Sequence, residues 1–409
     1  MFLRRDVLDG VSLRRDYRSF DYLLLALVLV LCAFGAVMVF SAIGGHGDGY
    51  LAANPTIARI PRNHIIFLVS GVAVMLAAAF VDFRFICRFW VVFYLLNLFL
   101  LILVWVMGEI QGLSVSRWLN LNDFGIPVNM SIQPSEFNKL FSIIYLAMIV
   151  DKFKERLNEL KVLALIVLAA MVPVALIIMQ PSLSAGIVAF SIVVCALYAG
   201  GIRHMYVVIA FIVGGAFLGL MYHDLVAENQ LLLHHLLPGG ITENGIIHEW
   251  QLNRIRPMFG IEVDEALRQQ NIQAAMALTA GGLFGNGFMN NPITVFVPHN
   301  DFIVAVIGAE FGFLGVMAVI LLMMGIVYKC LYTAYKTPFF YAKIIASCVG
   351  VMFAFQAFLN VAVVMDIMPN TGVTFPFISA GGSSMWINLA SIGLVMNIGM
   401  TKEKLMFED

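Results

Sequence analysis

Long apolar runs recur along the whole chain, separated by short charged or polar clusters, and this pattern fixes the solvent before it fixes a fold. A bilayer's hydrocarbon core is crossed by about 20 mostly apolar helical residues. Ten segments qualify: 21–43, 64–81, 89–107, 137–150, 162–179, 183–200, 205–221, 301–328, 344–366 and 383–400. Of the 409 residues 61% are hydrophobic and only 12% charged, whereas a water-soluble domain is roughly a quarter charged. Mean hydropathy is +0.92. The expected fold is an all-α polytopic membrane protein, one domain over 1–409 with about ten transmembrane helices. A large loop at 222–300 separates helices 7 and 8, and a 1–20 arm and a 401–409 tail flank the spans. The arm is rich in Arg and has no apolar core, so no cleavable signal peptide is expected and the first run should remain as an anchor.

An even number of spans puts both termini on one side, and the loops holding Lys and Arg say which side. One set of loops carries seventeen cations: five in the arm, Arg84, Arg88, Lys152, Lys154, Arg156, Lys161, Arg203, Lys329, Lys336, Lys343, Lys402 and Lys404. The other carries six, Arg59, Arg62, Arg117, Arg254, Arg256 and Arg268, while Lys139 lies just inside a helix. Both termini are therefore expected in the cytoplasm and the 222–300 loop outside. About 80 residues is far more than a connection needs, and such loops are usually functional or disordered. The amphipathic stretch at 266–278 suggests short helices lying on the membrane surface.

Several chemistries are absent from the sequence. The net charge of −1 offers no basic field for nucleic acid. There is no GxxxxGK[ST] loop, no HExxH and no CxxC, so a nucleotide cofactor is not expected. His234 and His235 are adjacent but lack further spaced ligands. Cys32, Cys87, Cys195, Cys330 and Cys348 fall in or beside apolar runs and read as small core or lipid-facing residues.

The unusual polar motifs all fall at the expected outer ends of the spans: SRWLNL at 116–121, QPSEFNKL at 133–140, QPSLSAG at 180–186, the run from Val297 to Gly312, and MPNTGVTFPFISAGGSS at 368–384. Gly, Pro, Ser and Asn at membrane depth mean irregular backbone, which is tolerated where it lines a cavity or packs in protein. A cavity open to the outer leaflet follows. Glu136 and Lys139 share a helix face at i, i+3, as a structural ion pair or as a polar wall that meets a phosphate or sugar. Glu310 poses the same alternative, and Asp366 reads as solvated. Ser383 and Ser384 lack a GxSxG turn and are expected as N-cap residues of the last span.

These motifs resemble the shape, elongation, division and sporulation family, from the start of the first span to the final helix. RWLNL with QPSEFNKL, NDFIVAVIGAEFG and PNTGVTFPFISAGGSS carry the likeness. The resemblance implies a peptidoglycan glycosyltransferase of the bacterial cytoplasmic membrane. It would polymerise lipid II on the outer face, with a class B penicillin-binding protein, a transpeptidase, as partner. It also implies an essential loop Asp, which counting from Arg254 and Ile255 puts at Asp264. The flanking Pro and Gly-rich segment of relatives are missing, so Glu262 and Glu265 compete. Ser182 stands where many relatives have Asp. Asp264 would act as general base on the acceptor hydroxyl, attacking with inversion at a carbon that already bears diphosphate. Arg117, Glu136, Lys139, Arg254, Gln273, Asp301, Ser383 and Ser384 are the expected substrate-binding residues. Arg254, Arg256, Arg117 or Lys139, with a divalent cation (Mg or Mn) as a candidate helper, would neutralise the leaving diphosphate. The rival readings are a lipid II flippase, another lipid-linked sugar transferase such as an O-antigen ligase, and a non-catalytic scaffold.

Overall fold

The computed structural model describes residues 13–44, 54–110, 117–120, 131–180, 182–209, 212, 219, 265–290, 299–368 and 372–403. Long helices dominate. They are α1 (Tyr22–Gly44), α2 (Ile60–Phe80), α3 (Trp90–Ile110), α4 (Pro134–Lys152), α5 (Leu160–Met179) and α6 (Leu183–Ala199), followed by α7 (Glu265–Ala280), α8 (Ile303–Lys336), α9 (Phe340–Val364) and α10 (Gly382–Gly399). Six helical runs are long and apolar enough to cross a bilayer by length and composition: α1, Pro55–Phe80, the Trp90–Met107 part of α3, α5, α8 and α9. α4 and α10 carry more polar residues, and they are the most enclosed by neighbours, with nearly every position of α10 buried. Most of the expected span 205–221 lies outside the described residues. α2 and α10 form a tight seam, with Gly71 against Leu389 and Gly393 against the Met75 carbonyl. Small residues let helix backbones approach where lipid supplies no hydrophobic drive.

Two short ladders join distant segments. β1 (Leu13–Arg15) pairs antiparallel with β4 (Thr401–Glu403), Arg14 opposite Lys402, so the two ends of the described chain lie on one face. The cation-rich loops gather on that same face. Phe83 packs on Phe339 and Tyr341, Lys154 lies 5.7 Å over the Phe340 ring, and Asn158 Nδ2 donates to the Gly201 carbonyl. The lopsided Lys and Arg partition is thus a property of one surface. The second ladder, β2 (Leu119–Asn120) with β3 (Ser131–Ile132), sits on the opposite face just before α4.

Two polar cross-links between α1 and α8 measure the thickness of the bundle. Lys329 pairs with Asp21 at 2.7 Å near the terminal face, and the Ser41 hydroxyl donates to Glu310 Oε1 at 2.5 Å near the other. Between these links α1 rises about 30 Å at 1.5 Å per residue, one hydrocarbon thickness.

α8 breaks inside this scaffold. Gly312 has φ 67° and ψ −164° within the helical run. The expected span 301–328 is therefore shifted. The membrane-crossing piece is 313–336, and Ile303–Phe311 is a separate short helix. That helix does not climb further, because the Asp301 carbonyl accepts from Asn360 Nδ2 at 2.8 Å, and Asn360 stands only about 25 Å above Lys343 along α9. It runs across the far face, where residues 302–310 are buried. α7 covers it, burying Asn271, Ala274 and Ala277, and Asn271 Nδ2 donates to Asp366 Oδ1 at 3.2 Å. The amphipathic stretch is thus a helix laid on the ends of the bundle.

The backbone groups freed by the break are recovered by the segment after α7. Asn286 and Gly287 amides donate to the Ala309 and Glu310 carbonyls, while Phe313 and Leu314 amides donate to the Gly282 and Leu283 carbonyls. An unpaired amide at this depth costs a hydrogen bond's worth of free energy. Side chains are excluded here. A Cβ on Gly285 (φ 84°) would lie 2.1 Å from the Glu310 carbonyl oxygen, and one on Gly312 would lie 2.4 Å from the Gly285 nitrogen.

Candidate active site

The polar motifs meet in a cavity of about 230 Å³ on the face opposite the termini. Its floor comes from α4, whose start is set locally. Gln133 is the N-cap, and Pro134 follows at the first helical position, where its missing N–H costs nothing. The Gln133 amide donates to Ser383 Oγ at 3.1 Å, tying the start of α4 to α10. Glu136 in the first turn suits the positive helix end. One turn further Lys139 reaches back to it, Nζ to Oε2 at 2.6 Å, with side-chain exposures of 5% and 13%. Charges this enclosed persist only when matched. Lys139 also faces Gln356 Oε1 of α9 at 3.5 Å. The sequence left an ion pair and a cavity wall as alternatives; the pair forms and it also lines the cavity.

The walls come from irregular backbone. Residues 372–381 have no regular structure, although Phe375 and Phe377 are 1% exposed. This segment is pinned by Asn360 Nδ2 on the Val373 carbonyl at 2.7 Å, by Ser379 Oγ accepting from the Phe375 amide at 2.8 Å, and by the Ala380 amide on the His299 carbonyl at 2.9 Å. It contributes Gly372, Thr374 and Gly381 to the lining. The start of α6 adds Ser182 and Ser184, the approach to α8 adds Asn300 and Asp301, and the β2 strand's approach adds Arg117 and Trp118.

Of the expected site residues, Arg117, Glu136, Lys139, Asp301, Ser383 and Ser384 converge on this cavity. Gln273 lies on α7, half-buried and outside the lining. Asp264, Arg254, Arg256 and Glu262 lie outside the described residues, and Glu265 opens α7. The N-cap reading of the serines is corrected. Gly381 is the N-cap of α10, and Ser383 and Ser384 lie within its first turn, where Ser383 caps α4 instead and the Ser384 hydroxyl donates to the Gly381 carbonyl at 3.3 Å. Gln356 is the lining residue that sequence reasoning missed. Its signal was a lone amide in the apolar run FAFQAF.

The profile of the cell cycle protein family of FtsW, RodA and SpoVE matches residues 21–404. The chain belongs to this family. Among its curated members, the probable peptidoglycan glycosyltransferase FtsW of Trichlorobacter lovleyi is 30% identical over 401 residues, covering 94% of this chain and 95% of that one. The Bacillus subtilis protein of the same name is 30% identical over 400 residues, 95% and 92% covered. Stage V sporulation protein E of Bacillus subtilis is 28% identical, 92% and 96% covered. In fold, the FtsW, RodA and SpoVE architecture extends to solved structures. A chain from a peptidoglycan synthase complex coordinating polymerization and crosslinking aligns with TM-score 0.69 at 22% identity, over 93% of this chain and 97% of that one. The rod shape determining protein RodA of Thermus thermophilus aligns with TM-score 0.63 at 24% identity, 94% and 97% covered. The chain is a multi-pass, all-α membrane protein of this family.

Proposed function

We infer that the chain is a peptidoglycan glycosyltransferase that polymerises lipid II at the outer face of the bacterial cytoplasmic membrane. The observation that carries this reading is the convergence of the family's polar motifs on one cavity, in a chain 30% identical along nearly its whole length to proteins named for that activity. The terminal face is the cytoplasmic one on this reading, because it holds the seventeen-cation set. The cavity floor at Lys139 stands about 20 Å from the terminal-face end of α4, which supports a site served from the outer leaflet over a flippase path reaching both sides.

In the reaction, a carboxylate takes the proton of the acceptor hydroxyl as it attacks the anomeric carbon, and the diphosphate leaves with the bonding pair. Asp264 is the candidate base. The cavity's part is to fix substrate position, which alone supplies a large share of such a barrier. The described residues do not fit a magnesium or manganese site. Among them no three His, Cys, Asp or Glu side chains come together, and the Glu136 carboxylate is already matched by Lys139, short of the oxygen-rich shell these ions take.

Purified protein incubated with lipid II, alone and with a class B penicillin-binding protein, should yield glycan chains resolved by gel. Lipid II transfer between leaflets of vesicles without polymer would instead support the flippase.

A further inference from the structure

The cavity's chemistry distinguishes which part of a lipid-linked substrate it takes. Its lining holds two cations, Arg117 and Lys139, and two carboxylates, Glu136 and Asp301, so among the described residues its side-chain charge cancels. Lys139 in particular spends its charge on Glu136 at 2.6 Å. A diphosphate brought here would be buried without excess positive charge, which is costly, and anion seats are built with unspent Arg or Lys. Serine hydroxyls at 182, 184, 383 and 384 also line the space, and each both donates and accepts. That mixture complements hydroxyl and amide groups.

Gln356 sharpens the case. An ammonium has three donors and no acceptor, so Gln356 faces Lys139 with Oε1 and its NH₂ is turned away. Nε2 then has no hydrogen-bond partner although the residue is 1% exposed and lines the cavity. A buried donor held in place by the neighbouring ion pair and left unmatched awaits an acceptor. A volume of about 230 Å³ falls below the roughly 300–1,000 Å³ of pockets that bury drug-sized ligands, so it suits one ring.

We propose that this cavity seats an uncharged acetamido-sugar ring of the lipid-linked substrate, with the diphosphate held outside it, and that Gln356 Nε2 is the donor that reads the ring. The proposal rests on the glycosyltransferase reading for the origin of the sugar. The test uses two soluble probes on the full-length protein in nanodiscs, N,N′-diacetylchitobiose and inorganic pyrophosphate, each titrated by ligand-observed NMR. Chitobiose should bind the wild type, and Gln356→Met, similar in volume and without a donor, should weaken it roughly 5- to 10-fold, the worth of one hydrogen bond. Gln356→Glu, which keeps an oxygen toward Lys139, should weaken it too, and unchanged thermal unfolding would show that both variants fold. Pyrophosphate binding should be indifferent to either change. Chitobiose binding that is absent, or unaltered in Gln356→Met, overturns the proposal, as does pyrophosphate binding that Gln356→Met abolishes. Lipid II polymerisation by the wild type, run in parallel, separates the two readings: glycan synthesis without Gln356-dependent sugar binding sinks the sugar seat alone.

Discussion

At the scale of single residues, the Glu136 and Lys139 pair is held by its surroundings as much as by its own attraction. Removing one partner leaves an enclosed, uncompensated charge, and such losses run to about 3–5 kcal/mol, whereas removing both costs far less. Lys139→Met should therefore lower the melting temperature in detergent more than the Glu136→Gln, Lys139→Met double variant does. Additive losses in the double-mutant cycle would mean that the two groups do not act as a pair. Asp264 carries the sharpest chemical expectation. Asp264→Asn keeps the shape and removes the proton acceptor, and general-base contributions of ~100-fold to ~10,000-fold are typical. The variant should insert normally and lose polymerisation of lipid II by that factor. Helix capping would not explain such a loss, because Asn caps as well as Asp. If Glu262→Gln or Glu265→Gln abolishes synthesis while Asp264→Asn stays active, the base sits at one of those positions.

Among the elements, the joint between the α7 loop and the break in α8 depends on close backbone approach. Gly285 has φ 84° and meets the Glu310 carbonyl, while Gly287, with φ 98°, has open space where its Cβ would be. Gly287→Ala should cost only the left-handed strain, roughly 1–2 kcal/mol. Gly285→Ala adds a backbone collision to the same strain and should detach the loop. Hydrogen exchange reads the difference. Amides 286, 287, 313 and 314, which bridge the two segments, should exchange much faster in Gly285→Ala and nearly normally in Gly287→Ala. Equal protection in the two variants would show that this joint does not depend on close backbone approach.

For the whole molecule, one surface gathers the chain ends and the cation-rich loops, and the other gathers α7 and the cavity. With the native cysteines replaced, Asn290→Cys should react with a membrane-impermeant maleimide in intact cells, and Glu155→Cys only after permeabilisation. The reverse pattern would turn the molecule over and remove the cavity from the outer face. A class B transpeptidase is the expected partner, and adding it should raise the rate of glycan synthesis. Equal rates with and without every candidate partner would dismiss activation by docking.

The sequence by itself determined the solvent, the approximate places of most of the described helices, and that the polar motifs lie at the helix ends opposite the cation-rich loops. Each of these follows from local properties: about 20 apolar residues per crossing and a count of cations per loop. It also supplied Arg117, Glu136, Lys139, Asp301, Ser383 and Ser384, because polar residues stand out in apolar runs. Tertiary structure decided what those residues do to one another. Gly312 looked like an ordinary residue of an apolar helix, and only the loop packed against it shows why the helix breaks there. Ser383 caps α4, 250 residues away in sequence, and not its own helix. Gln356 became a site residue only through Lys139, 217 positions distant, which fixes the direction of its amide. A hydrogen-bond partner that far along the chain leaves no trace in local periodicity, so the helices were legible in one dimension and the cavity only in three.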